Sequence, residues 1–175
     1  MCSSDLGNVV GDHFDAPVLI IKTAWLGKSL KVDFRPPSAG GEVGPFYTAM
    51  VDRVHEVLGR LDEELPGYEG QGYEIAGLAW HQGWSDGGSW DFVNEYESNL
   101  AHLIRDLRRD LNAPQMHVVV ANSGFNGWNG EVDRREAIMA AQAAVPAYPE
   151  FANNTSHVET RGYWRSAEQS PMEQI

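Results

Sequence analysis

The residues whose types and spacing suit acyl chemistry are gathered in one stretch, Gly77 to Asp86, which reads GLAWHQGWSD. An apolar run ends directly on His81, Gln82 and Gly83, and Trp84 and Asp86 follow. A side-chain amide and backbone N–H groups beside a cleft can hold the negative charge that develops on an attacked carbonyl oxygen. Gln82 and Gly83 have the groups for that role; the structural alternative is a glutamine that satisfies loop carbonyls. Gly27, in the turn TAWLGKS, resembles them in position and could present its own N–H or that of Lys28 inward. The alternative there is a glycine that only turns the chain. His81 could serve as a general base, but Trp80 beside it favours a ring that braces the loop.

Other chemistries find less support. The segment LGKS follows an apolar run, but the phosphate-cradling loop needs a glycine where Lys22 stands, so that reading is rejected. His102 and Asp106 are one helical turn apart and are expected on a solvated face. The remaining histidines have no metal-ligand spacing, so no metal is expected. Cys2 is the only cysteine, which excludes an intramolecular disulfide and a thiolate metal site. With 13 basic and 25 acidic residues the formal charge is −12, which repels phosphate backbones, so nucleic acid is a poor partner. The longest apolar run, APVLII, is far short of a membrane span, and residues 1–15 have neither the basic nor the apolar segment of a signal peptide. Asn153 and Asn154 both fit the glycosylation pattern, which matters only in an exported chain. Trp25, Trp84, Trp90, Trp128 and Trp164 lie in or beside candidate loops. Flat indoles there suit the apolar faces of sugar rings, or else wedge the loops together.

These residues need a scaffold. The solid apolar run over 17–23 predicts a strand covered on both faces, as in a parallel sheet. Met50, Val51, Val54, Leu58 and Leu61 predict a helix over 45–64. A second strand is expected over 72–80. Tyr96, Leu100, Leu103, Leu107 and Leu111 form one stripe of a helix over 92–111, with Arg105, Arg108, Arg109 and Asp110 facing water. A strand over 115–123, an Ala-rich helix over 131–145 with Glu131 and Asp133 in its first turn, and a short strand over 156–162 complete the order. Residues 1–15 show no periodicity, and no internal repeat stands out. Such alternation predicts one open α/β domain with helices on both faces of a parallel sheet, whose sites lie past the C-terminal ends of the strands. The four segments at those ends are TAWLGKS, WHQGWSD, NSGFNGWN and TRGYW, all rich in small, amide or aromatic groups.

The blocks PVLIIKTAWLGKSLKVDFRPPS, GPFYTAMVDRVHEVL, GYEIAGLAWHQGWSD and EYESNLAHLIRDLRRDLNAPQMHVVVANSG together resemble the sialate O-acetylesterase-like, or acetylxylan esterase-like, branch of the SGNH/GDSL hydrolases. The resemblance covers roughly residues 16–165. It implies a three-layer α/β/α sandwich with a flavodoxin-like parallel sheet, and serine-dependent removal of acetyl groups from sugars without a cofactor. It makes Gly27 and Gln82 the oxyanion hole, His81 and Asp86 loop braces, and Lys28, Trp25 and Trp84 substrate-facing residues. Where the family usually has Gly and often Glu, this sequence has Leu26 and Trp84. Its relatives carry the nucleophile in a Gly-x-Ser-x block on a central strand ahead of 17–23, and nothing in MCSSDLGNVVGDHF matches that block. No histidine follows His157, although the family's Asp and His lie near the C-terminus. Residues 1–15 therefore read as a non-family segment, 166–175 as a shortened tail, and the domain as one lacking its serine-bearing strand. The expected partner is an acetylated carbohydrate or other small acetyl ester. The alternative is a non-catalytic relative that binds sugar or protein through the aromatic loops. Localisation is open; the parent protein is a candidate for secretion or the periplasm.

Overall fold

A computed structural model of the chain describes residues 3–129 and 132–169. Helices α1 (Ser3–Gly11), α2 (Pro45–Leu58) and α3 (Leu61–Glu64) precede strand β1 (Gly77–Trp80). Then come α4 (Trp90–Asp110), β2 (His117–Ala121), α5 (Asp133–Ala144) and β3 (Thr155–Val158), with short 3-10 turns between them. The three strands are parallel in the order β1-β2-β3. None of the helices among the described residues is long and apolar enough to cross a membrane.

The longest helix follows its sequence pattern closely. Tyr96, Leu100, Leu103, Ile104 and Leu107 of α4 are almost wholly buried, and they form the core with Val118, Val120, Ile138 and Val145. Asn112, at φ 50, ends the helix in a left-handed residue, and reversed bonds from Asn112 N to Arg109 O and Ala113 N to Arg108 O satisfy its last carbonyls. Two polar residues of α4 depart from expectation. Arg108 is buried rather than solvated, because its guanidinium donates to Met116 O, Asn154 Oδ1 and Thr155 Oγ1 and ties the helix to the start of two strands. Asp106 is also buried, accepting the Ser38 N–H at 2.7 Å and pairing with Arg109.

The expected helix over 45–64 is two helices, broken at Gly59 and Arg60. The segment 3–11, read as aperiodic, is a helix whose Gly7 approaches the Ile20 side chain. Glu131, expected in the first turn of α5, lies outside the described residues; Asp133 and Glu136 occupy that turn.

The sheet departs more substantially. Residues 17–23 form no strand, and no backbone hydrogen bond joins them to β1 among the described residues. An extended run becomes a strand only where a neighbour takes its N–H and C=O groups. Val18, Leu19 and Ile20 are each more than a third exposed. The registers put Leu78, Val118 and Thr155 in one cross-strand row and Trp80, Val120 and His157 in the next. That face is turned to the core. On the opposite face Gly77, Ala79, His117, Val119, Ser156 and Val158 are all exposed. The described residues thus form a small three-stranded parallel sheet flanked by helices, with one strand face open. The expected fourth strand and the second covered face are not among them.

Candidate active site at the strand ends

The loop after β1 is held from below by a buried carboxylate. Asp86 has no exposed surface; it accepts the N–H of Leu30 at 2.9 Å and of Lys31 at 3.1 Å, and the Gln82 amide at 2.6 Å. Burial pushes its pKa up, and these donors oppose the shift. The other hydrogen of the Gln82 amide goes to Lys28 O at 2.9 Å. Both hydrogens of Gln82 Nε2 are thereby engaged, while Oε1 is buried without a partner. In this arrangement the side chain clamps the 26–28 turn to the 81–86 loop. Its open valence is an acceptor.

The Gln82 carbonyl is a second junction. It accepts Tyr96 Oη at 2.8 Å, Gln142 Nε2 at 2.5 Å and Ser123 Oγ at 3.3 Å. Gln142, fully buried on α5, also accepts the Ser123 N–H at 3.0 Å. Gly83 sits between these groups at φ 147, where a Cβ would collide with Ser123 Oγ and lie 2.7 Å from Gln142 Nε2. Only glycine fits that backbone at that approach. The loops after β2 and β3 are joined in turn by Asn122, whose Oδ1 accepts the Thr160 N–H at 3.0 Å and whose carbonyl accepts Thr160 Oγ1 at 2.8 Å.

Gly27 lies at φ 70 on an exposed turn, its N–H without a partner among the described residues, and Leu26 beside it is fully exposed. Lys28 pairs with Asp33 at 3.3 Å and lies 4.3 Å from the Phe46 ring centre. Trp25 packs on Phe34 and Phe46 and keeps 36% of its surface exposed. Trp84 is 63% exposed, tilted against Phe125 with the Arg135 guanidinium 4.6 Å from its ring. Phe125 holds the uncommon φ of 28 in the loop after β2. His81 keeps an exposed edge, yet burial of its ring lowers its pKa despite a bond to the Asn122 backbone, which favours the neutral imidazole. On the outer rim Arg161 stacks 4.1 Å from the Trp128 ring.

No Ser–His–Asp arrangement stands at these strand ends among the described residues. Ser123 is spent on Gln82 O and Gln142. Ser38 Oγ lies 2.7 Å from His102 Nδ1, but this pair sits about 18 Å along α4 from its first residue, at 1.5 Å per residue. Asp106 there binds the Ser38 backbone rather than the imidazole.

Residues 7–169 match the family model described as carbohydrate esterase, sialic acid-specific acetylesterase. The chain belongs to this acetylesterase family. No curated protein matches it. Among solved structures, a protein from Arabidopsis thaliana known by X-ray crystallography is similar at 22% identity and a TM-score of 0.57, over 82% of this chain. That likeness is one of fold, and this chain spans 48% of the plant protein's length. The strand-end surface also includes residues whose part in it the sequence did not show. Gln142, Tyr96, Asn122 and Thr160 are junctions between loops. A signal existed for Gln142, a polar residue four positions after Ile138 and three before Val145 on the buried side of α5.

Proposed function

We propose that this chain carries the oxyanion-stabilising and sugar-facing side of a carbohydrate O-acetylesterase site. The observation that carries the reading is the bond from Gln82 Nε2 to Lys28 O, which clamps the Gly27 turn to the 81–86 loop. Gly27 N–H is the first oxyanion donor. Gln82, whose amide that bond holds beside the turn, becomes the second donor when its planar amide swings as a unit and exchanges the Lys28 carbonyl for the substrate oxygen. His81 and Asp86 brace the loop, and Lys28, Trp25 and Trp84 line the sugar side.

The chemistry is acyl transfer. A serine hydroxyl adds to the acetyl carbon while a base takes its proton, and the oxyanion forms against the two donors. Collapse returns the proton to the departing sugar hydroxyl, and water then releases acetate from the acetyl-serine. We place the serine and its base in sequence outside this chain. A comparison of this chain with a product extended on both sides by its own genomic coding sequence tests the reading. The extended product should release acetate from an O-acetylated sugar and be labelled by a fluorophosphonate, and the present chain should do neither. Labelling of this chain at a strand-end serine, or an inert extended product with that serine present, would refute it.

A second reading is supported by the exposure of Trp84 at 63%, Trp128 at 64% and Tyr163 at 76%. Under it the aromatic rim binds a sugar without turning it over, and the extended product binds the acetylated sugar but releases no acetate.

A further inference from the structure

A fully buried amide is costly unless its polar groups find partners, and Gln142 on α5 finds them in two strand-end loops. Its Nε2 donates to the Gln82 carbonyl at 2.5 Å in the loop after β1, and its Oε1 accepts the Ser123 N–H at 3.0 Å in the loop after β2. That pairing fixes the orientation of the amide. The flipped form would set oxygen against oxygen at Gln82 and N–H against N–H at Ser123. The second amide hydrogen has Tyr96 Oη at 3.0 Å and Ser123 Oγ at 3.1 Å as acceptors. Tyr96 gives its own hydrogen to the Gln82 carbonyl at 2.8 Å, and burial raises the pKa of its hydroxyl, which keeps it a donor.

Donors from both α4 and α5 therefore hold the Gln82 carbonyl. The side chain of the same residue has the opposite requirement. Its amide leaves Lys28 O for the substrate oxygen, and a side chain that swings aims correctly only if its backbone stays still. The fit is close, because a Cβ on Gly83 would lie 2.7 Å from Gln142 Nε2. We propose that Gln142 is a positioning residue of the oxyanion site: it fixes the Gln82 main chain from within the helix layer and touches no reacting atom. The proposal rests on the oxyanion reading of Gln82 and adds to it the residue that aims the donor. A misplacement of about 1 Å in a catalytic constellation costs on the order of 10²-fold in rate, so loss of this bond reaches turnover as well as stability.

The test is a double-mutant cycle on the product extended by its genomic coding sequence, read as kcat and KM for an O-acetylated sugar. Gln142→Met, of similar length but without the amide, should lower kcat by about tenfold or more with KM little changed. In a Gln82→Ala background the same change should lower kcat by less than about twofold, since the donor it aims is gone. Gln142→Glu keeps an acceptor for the Ser123 N–H and serves as a second variant should the first not fold. Its kcat relative to the parent should fall as pH rises through the titration of the new carboxyl, followed by its NMR shift, because only the protonated form donates to the Gln82 carbonyl. Equal losses with and without Gln82, or a relative kcat unchanged across that titration, would overturn the proposal and leave Gln142 a brace of the fold, with the oxyanion reading intact. If Gln82→Ala alone leaves turnover unchanged, the oxyanion reading falls and takes the proposal with it.

Discussion

Replacing Asp86 with alanine removes one acceptor from three donors that the fold has gathered around it: the N–H groups of Leu30 and Lys31, and one hydrogen of the Gln82 amide. Leu30 has no exposed surface, so water cannot replace the carboxylate at its N–H. Hydrogen bonds to a charged group are worth about 1.5–3 kcal/mol each, which puts the gross loss near 6 kcal/mol. Part of this is offset because the buried carboxylate no longer has to be stripped of water, an effect visible in its raised pKa. A net loss of about 3–4 kcal/mol remains, and for a domain of this size each 1 kcal/mol lowers the melting midpoint by roughly 2–4 °C. The expected fall is therefore about 10 °C. It is read by thermal unfolding followed at the indoles, with hydrogen exchange at Leu30 and Lys31 to localise it. A loss below about 1 kcal/mol, with the Leu30 amide still protected, would show that Asp86 does not hold the turn and would refute the clamp.

Other consequences can be checked separately. Gly83→Ala should destabilise by about 2–3 kcal/mol through collision with Ser123 and Gln142, measured by the same unfolding curve; a neutral change would mean that the junction at Gln82 O is loose. Trp84→Ala, at a site 63% exposed, should cost well under the roughly 3–5 kcal/mol of a buried tryptophan while weakening sugar binding. Glu95 is held at about 2 by Arg35 and Lys31, well below its ordinary 4.5. Its contribution to stability is present above that ordinary value and is lost as pH falls toward 2, and Glu95→Gln should flatten the acid limb of the stability–pH curve in that window. Amides of residues 17–23 should exchange far faster than those of 117–121; equal protection in hydrogen exchange would show the extended segment paired into the sheet.

Helices α2 and α4 were legible because each buries a stripe that its own sequence prints, whereas α1, read as aperiodic, was not. Tyr96, Leu100, Leu103 and Leu107 declared α4, and Pro45 with Met50 declared α2. What local pattern cannot print is the partner. Residues 17–23 have strand composition, yet a strand exists only across from another. Arg108 looked solvated by helical phase, and its burial depends on the carbonyl of Met116 beyond the helix end and on the side chain of Asn154, 46 residues away. The site divides in the same way. Gln82, Gly27 and Asp86 stood out by type and position, and the side-chain bonds of Gln82 and Asp86 do meet the 26–31 turn. Which hydrogen of Gln82 goes where, and the part played by Gln142 and Asn122 behind it, depend on contacts made 38–60 residues away.

Whether Gly27 and Gln82 face a reacting carbonyl is tested most directly by kinetics on the extended, acetate-releasing product. Gln82→Ala should lower kcat for an O-acetylated sugar by about 10²–10³, the usual worth of one oxyanion donor, with KM little changed. The readout requires an unfolding midpoint high enough that the variant stays folded throughout the assay. Turnover equal to that of the parent would contradict the account and leave Gln82 as a loop clamp alone.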